Sequence, residues 1–131
     1  MPKLHPNTLD VEARGQTHLP EVSEEALLLR IFMGEDDRLK HLPLYEAIVL
    51  KAREMHLAGA TVFRGLLGFG RSSRMHRANI LRLSADLPIV IEIVDTQEKI
   101  DAFLAHLEPM MGGGLVTLER AQVVHYRQSS V

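Results

Sequence analysis

The residues best suited to chemistry fall in one run, Arg64-Gly65-Leu66-Leu67-Gly68-Phe69-Gly70-Arg71-Ser72-Ser73-Arg74-Met75-His76-Arg77, with Arg82 just beyond. Between Arg64 and Arg82 there are five arginines, one histidine and no acidic residue, in a chain of formal net charge -2. That is a strong local asymmetry. Guanidinium groups offer a fork of N–H donors matched to phosphate or carboxylate. Glycines let backbone N–H groups approach an anion with no Cβ in the way. A solvated loop whose arginines pair with surface acids would have the same composition, so charge alone leaves both readings open. His76, among these arginines, is placed either to touch a ligand or to shape the loop. A second candidate is Gly112-Gly113-Gly114, directly before an apolar segment. A helix stop or tight turn there needs one glycine; three in a row can also leave backbone donors uncovered for a phosphate. The segment is not the GxxxxGK[ST] loop of a P-loop enzyme.

Other chemistries lack their residues. The chain has no Cys, which excludes a disulfide framework, a thiolate metal site and a cysteine nucleophile, and suits a reducing compartment. Its seven histidines show no HxxxH or HExxH spacing. Glu35-Asp36-Asp37 could offer oxygen ligands to a cation, but no EF-hand spacing surrounds it, and a solvated acidic loop is expected. There is no GxSxG elbow, and Ser72, Ser73 and His76 have no carboxylate nearby to orient the histidine. No catalytic residue and no metal site are therefore assigned. The global charge gives no bias toward nucleic acid or an anionic membrane. No apolar run approaches the ~20 residues that span a bilayer, and a cytoplasmic protein is expected.

The elements that must position these loops follow from periodicity. Residues 1–24, interrupted by Pro2, Pro6, Gly15 and Pro20, read as a flexible N-terminal extension. Ala26 to Met33 is a short apolar run stopped by Gly34, which predicts a buried strand. Pro43 suits the first turn of a helix; Leu44, Ile48, Ala52 and Met55 form its apolar stripe, and Gly59 is the expected stop. Ala60 to Phe63, continuing toward Leu67, predicts a second strand. Pro88 to Val94 is the clearest strand, dominated by β-branched residues. Asp95 is the expected cap of the next helix, with Glu98 completing a capping box. Its stripe is Ile100, Phe103, Leu104 and Leu107. Leu115 to Val124 is the last strand.

The order is strand, helix, strand, strand, helix, strand. This predicts an α+β, ferredoxin-like βαββαβ fold: a four-stranded antiparallel sheet with both helices on one face. The strands are nearly continuous in apolar residues, the pattern of a sheet covered on both faces. A second copy of the chain is the simplest cover for the face without helices, which predicts a homo-oligomer. Arg30 and Glu92 interrupt the two strands that this order makes neighbours, so they are expected to pair across the sheet.

Gly68-Phe69-Gly70-Arg71 after a second strand, then a long loop and the strand Leu87 to Val94, resembles the PII signalling proteins. The segment from Glu25 to Tyr126 is more closely similar to a PII-like family of unknown function. The matching segments are Gly34 to Asp37, Pro43 to Ala47, Gly59 to Val62 and Gly112 to Val116. The resemblance implies a PII-like domain over 25–127 with a tail at 128–131, assembled as a homotrimer with its sheets facing the axis. It implies adenine nucleotide (ATP, ADP or AMP) as an effector in clefts between subunits, with no covalent cofactor. The resemblance places Gly70 and Arg71 at one phosphate-facing loop and Gly112, Gly113 and Gly114 at the other, while Gly68, Arg74, His76 and Arg77 are ligand candidates from the glycine and charge pattern of the first loop. It also implies a regulator, not an enzyme, acting through loop 68–86 on a partner such as a membrane transporter, without inserting into the membrane. Ser72 stands where PII has Gln, Leu115 follows the glycines where PII has an acid and a Lys, and the loop has no Tyr. Sensing of 2-oxoglutarate and uridylylation are therefore not expected. Two rival readings share the architecture: a CutA-like metal-response trimer, and a small enzyme using the trimer clefts.

Overall fold

The computed structural model describes residues 24–70, 76–77 and 86–127. The segments assigned to an N-terminal extension (1–24, save Glu24) and to a tail (128–131) lie outside the described residues. Residues Ala26–Ala121 form one compact unit. Of a second, made from the two ends of the chain, the described residues are Glu24 and Glu25, which begin the first strand, Gln122 and Val123, which close the last, and 124–127 beyond it.

Four strands make the sheet: β1 (Glu24–Gly34), β2 (Thr61–Arg64), β3 (Pro88–Asp95) and β4 (Leu115–Val123). Their spatial order is β2-β3-β1-β4. Two helices, α1 (Leu44–Glu54) and α2 (Gln97–Leu107), connect them. This is the ferredoxin-like arrangement that the sequence pattern predicts. Among the described residues no helix is long and apolar enough to cross a membrane.

Alternation along the strands divides the sheet into two faces. Leu29, Ile31 and Met33 of β1 and Ile89, Ile91 and Ile93 of β3 are buried against Leu44, Ile48 and Ala52 of α1 and Ile100, Phe103 and Leu107 of α2. The intervening residues form rows on the other face, where Phe32 opposes Val90 and Val90 opposes Phe63. Leu28 opposes Val94, and Arg30 opposes Glu92. The second face is thus apolar at Leu28, Phe32, Phe63, Val90 and Val94 and charged at its centre, at Arg30 and Glu92, and its residues are half-buried or exposed.

Element ends depart from the sequence expectation in three places. The first helix ends at Glu54, and the left-handed residue after it is His56 (φ 61), not Gly59. Packing overrides the local preference for glycine: Leu57 N–H donates to the Ala52 carbonyl, and Lys99 Nζ donates to the His56 carbonyl at 2.7 Å. At the second helix the cap is Thr96, whose hydroxyl accepts from Lys99 N–H at 3.2 Å. Asp95 is engaged elsewhere, its carboxylate accepting from Ala58 N–H and Thr96 N–H. The second strand stops at Arg64. Gly65 N–H bonds the Pro88 carbonyl at 2.7 Å, and Leu67–Gly68 then pairs with His76–Arg77 in a separate ribbon.

Candidate functional site

Strand directions bring the predicted loops together. β1 ends at Gly34, which lies opposite Pro88 at the start of β3. β2 ends at Arg64, opposite Ile89. β4 begins at Leu115, and Gly114 just before it rests against Phe32 of β1. Gly68 and Gly112 to Gly114 therefore emerge at the same end of the sheet. Two strands lie between them, so the loops begin roughly 14 Å apart at about 4.8 Å per strand.

The three glycines of the second loop are not equivalent. Gly114 has φ +104, and a Cβ there would stand 2.5 Å from the Phe32 carbonyl oxygen and 2.9 Å from Met111 Cε. Its backbone admits no other residue without strain. Gly112 and Gly113 carry no such demand, since a Cβ at either would meet nothing within 4 Å. They leave open backbone beside a cleft of about 400 Å³, lined by Leu104, Leu107, Glu108, Met111, the three glycines and Val116. The volume lies within the range of small-molecule sites. The walls are apolar apart from Glu108, and none of the lining residues is cationic. An anion held here by backbone N–H groups must draw its countercharge from beyond the cleft.

The first loop is anchored at its root. Cβ atoms on Gly65 and Gly68 would lie 3.0 and 3.2 Å from Pro88 Cγ, so this stretch packs directly on the proline ring. Gly68 faces His76 and Leu67 faces Arg77 in backbone register. Gly70 is exposed with open space about it. Arg71 and Arg74, with Ser72, Ser73 and Arg82, lie outside the described residues. A second depression of about 310 Å³, lined by Met55, Leu57, Glu98, Lys99 and Ala102, opens where α1 ends and α2 begins, at the opposite end of the sheet.

Between the two loops stands the turn 34–37, whose acids do more than face solvent. Gly34 N–H donates to Asp37 Oδ2 (3.1 Å), and Asp36 N–H donates to Asp86 Oδ1 (2.8 Å). Glu35 N–H donates to the Leu87 carbonyl (2.8 Å), and Leu44 N–H to the Asp37 carbonyl (2.7 Å). Arg64 NH2 meets Glu35 Oε2 at 2.7 Å. The acidic turn thus binds both ends of the 65–86 segment, Arg64 at one and Asp86 at the other. Sequence reasoning missed this role because its partners lie 29 and 50 residues away. It also missed Glu108 and Met111, although their position just after the Ile100-to-Leu107 stripe was a usable signal. No group of three or more His, Asp or Glu fit to hold a metal occurs among the described residues.

On the uncovered face of the sheet, Arg30 Nε bonds Glu92 Oε2 at 2.9 Å, and Arg30 NH1 approaches Glu119 Oε1 at 3.5 Å. The pairing expected from β1 and β3 is present, extended by a third partner from β4. The hydrogen bond to Glu92 raises the Arg30 pKa above its ordinary value; desolvation opposes it and Glu119 adds to it.

Comparison with known proteins agrees with this architecture. The model of a family described as Uncharacterized ACR (DUF190) matches residues 26–123. A UPF0166 protein of Aquifex aeolicus (strain VF5) is 39% identical over 98 residues, which cover 75% of this chain and 92% of the relative. Among solved structures, CPII, a nitrogen regulatory PII-like protein from Thiomonas intermedia K12, bound to ADP, AMP and bicarbonate, superposes with TM-score 0.61 at 19% identity. The match covers 78% of this chain and 91% of that one. The same protein bound to ADP and bicarbonate gives 0.59 at 19% identity, with the same coverage of both chains. At that identity the likeness establishes the fold, which is PII-like.

Proposed function

The chain belongs to the DUF190 family, and from that membership and its PII-like fold we propose that it is a signalling regulator, not an enzyme. It binds a small anionic effector, an adenine nucleotide such as ATP, ADP or AMP, in clefts between the subunits of a cytoplasmic homotrimer. The observation that carries this reading is that two glycine segments, Gly68 to Gly70 and Gly112 to Gly114, emerge at the same end of the sheet. It is supported by a structural neighbour, CPII, whose structures hold ADP. Backbone N–H groups of Gly112 and Gly113 offer donors to phosphate oxygens, the apolar wall of Leu104, Met111 and Val116 suits a planar base, and Arg71, Arg74, His76 and Arg77 supply cations and donors from the first loop. The trimer is supported by the apolar, uncovered face of the sheet. In this reading the effector alters the conformation of the Arg-rich loop 68–86, which docks on a partner protein such as a membrane transporter.

Calorimetric titration of the full chain with ATP, ADP, AMP and cyclic nucleotides tests the proposal. Saturable binding of at least one of them is expected, weakened about tenfold by Arg71→Ala if that guanidinium meets a phosphate. Absence of heat with all of them, together with native mass spectra showing no retained nucleotide, would dispose of it.

A further inference from the structure

The cleft beside Gly112 to Gly114 carries Glu108 and no cation, so the described half of the anion site lacks its countercharge. One described ion pair, Arg64 with Glu35, joins the strand that leads into the first loop to the strand beside the second. Arg64 ends the edge strand β2, and its NH2 meets Oε2 of Glu35, the residue just past the end of β1, with the start of β3 lying between the two strands. Glu35 stands on the side of the Gly114 loop, since Gly114 abuts Phe32, three residues before it on β1. Arg64 is 58% exposed, and the contact holding it uses a single guanidinium nitrogen, NH2. The neighbouring acids are committed to the backbone: Asp37 accepts from Gly34 N–H and Asp86 from Asp36 N–H. Arg38, close by in the chain, donates to the His41 carbonyl.

We propose that Arg64 is an anion-binding residue of this site, parked on Glu35 and transferred to the anion when one binds. The proposal rests on the anion-binding reading above and adds to it a residue and a competition. An exposed ion pair made through one nitrogen is weak against water. A phosphate oxygen pair can take two parallel N–H bonds from the same guanidinium, so the exchange favours the anion. Glu35 then acts as a built-in competitor that sets the affinity and keeps the guanidinium pre-positioned. Because Glu35 also bonds Leu87 through its N–H, the exchange leaves the backbone clamp intact.

The test is titration of the full chain, and of variants, with ADP and separately with inorganic tripolyphosphate. Arg64→Ala is expected to weaken ADP about tenfold, and Arg64→Lys to restore part of the loss, as for a charge-assisted hydrogen bond. Glu35→Gln is expected to tighten ADP about threefold, the release of a weak surface pair, and to do nothing in the Arg64→Ala background. Asp36→Asn removes a neighbouring charge without freeing Arg64, and should leave the affinity unchanged. Equal weakening by Glu35→Gln and Arg64→Ala would mean that the pair only props the loop, which overturns the inference. Tightening by Glu35→Gln that persists without Arg64, or that Asp36→Asn reproduces, would mean general charge repulsion and also overturns it. Nucleotide binding by the unmodified chain that ignores Arg64 defeats this inference alone, whereas a chain that binds no anion defeats the functional reading as well.

Discussion

Gly114 is the residue on which the geometry of the second loop turns. With φ +104 and the Phe32 carbonyl oxygen at 2.5 Å from any added Cβ, Gly114→Ala must move either β1 or the loop. A loss of about 2 kcal/mol in unfolding free energy is expected from left-handed strain and contact together, read as a lowered urea midpoint at unchanged slope. Gly113→Ala should cost less than half as much, since nothing lies near its Cβ position. The sequence marked the three glycines as a group and could not rank them, because the ranking depends on a carbonyl 82 positions earlier. Arg30 with Glu92 was legible, since two charges interrupting neighbouring apolar strands have one economical explanation. Glu119 was not, lying on an edge strand whose register the sequence leaves open. The raised pKa of Arg30 has a simple sign: a base shifted upward keeps its charge at every pH below its ordinary value. Its contribution fails only in strong alkali, as pH rises through the raised value.

At the scale of elements, composition predicted the segments well and their ends poorly. Short apolar runs marked all four strands, and apolar stripes at helical spacing marked both helices. Ends are decided by hydrogen bonds to remote groups. Asp95 looks like a cap, yet its carboxylate accepts from Ala58 N–H, which leaves the capping of α2 to Thr96. Thr96→Ala should therefore destabilise the fold by about 1 kcal/mol, the usual cost of a lost N-cap, measurable by chemical denaturation, while Glu98→Ala should be nearly silent. His56 makes the same point at the other helix. A left-handed residue that is not glycine is held there by Leu57 and Lys99, neither of which local sequence connects to it.

For the molecule as a whole, the βαββαβ order was legible because six segments in that sequence admit few topologies. What covers the second face of the sheet was legible only as a need. The structure gives that need a shape, the rows Phe32–Val90–Phe63 and Leu28–Val94 around the Arg30 cluster. If copies of the chain pack there, Phe63, 49% exposed at the edge strand, is the residue to change. Phe63→Asp should convert the assembly to monomers at micromolar concentration in sedimentation velocity, since burial of such a ring contributes about 2 kcal/mol per copy. Far-UV circular dichroism should be unchanged. A parent protein that already sediments as a monomer would refute the trimer outright.

The clamp at the turn 34–37 has a consequence for how this chain can diverge. The segment between Gly65 and Asp86 is closed at its own neck, by Gly65 on Pro88, Glu35 on Leu87 and Asp36 on Asp86. Closing a longer chain over a fixed neck costs little, about 0.6 kcal/mol for each doubling in length. Insertions, deletions and wholesale replacement within it are thus borne by the neck and not by the sheet. The length and sequence of that segment can therefore change while the stability of the sheet stays nearly constant.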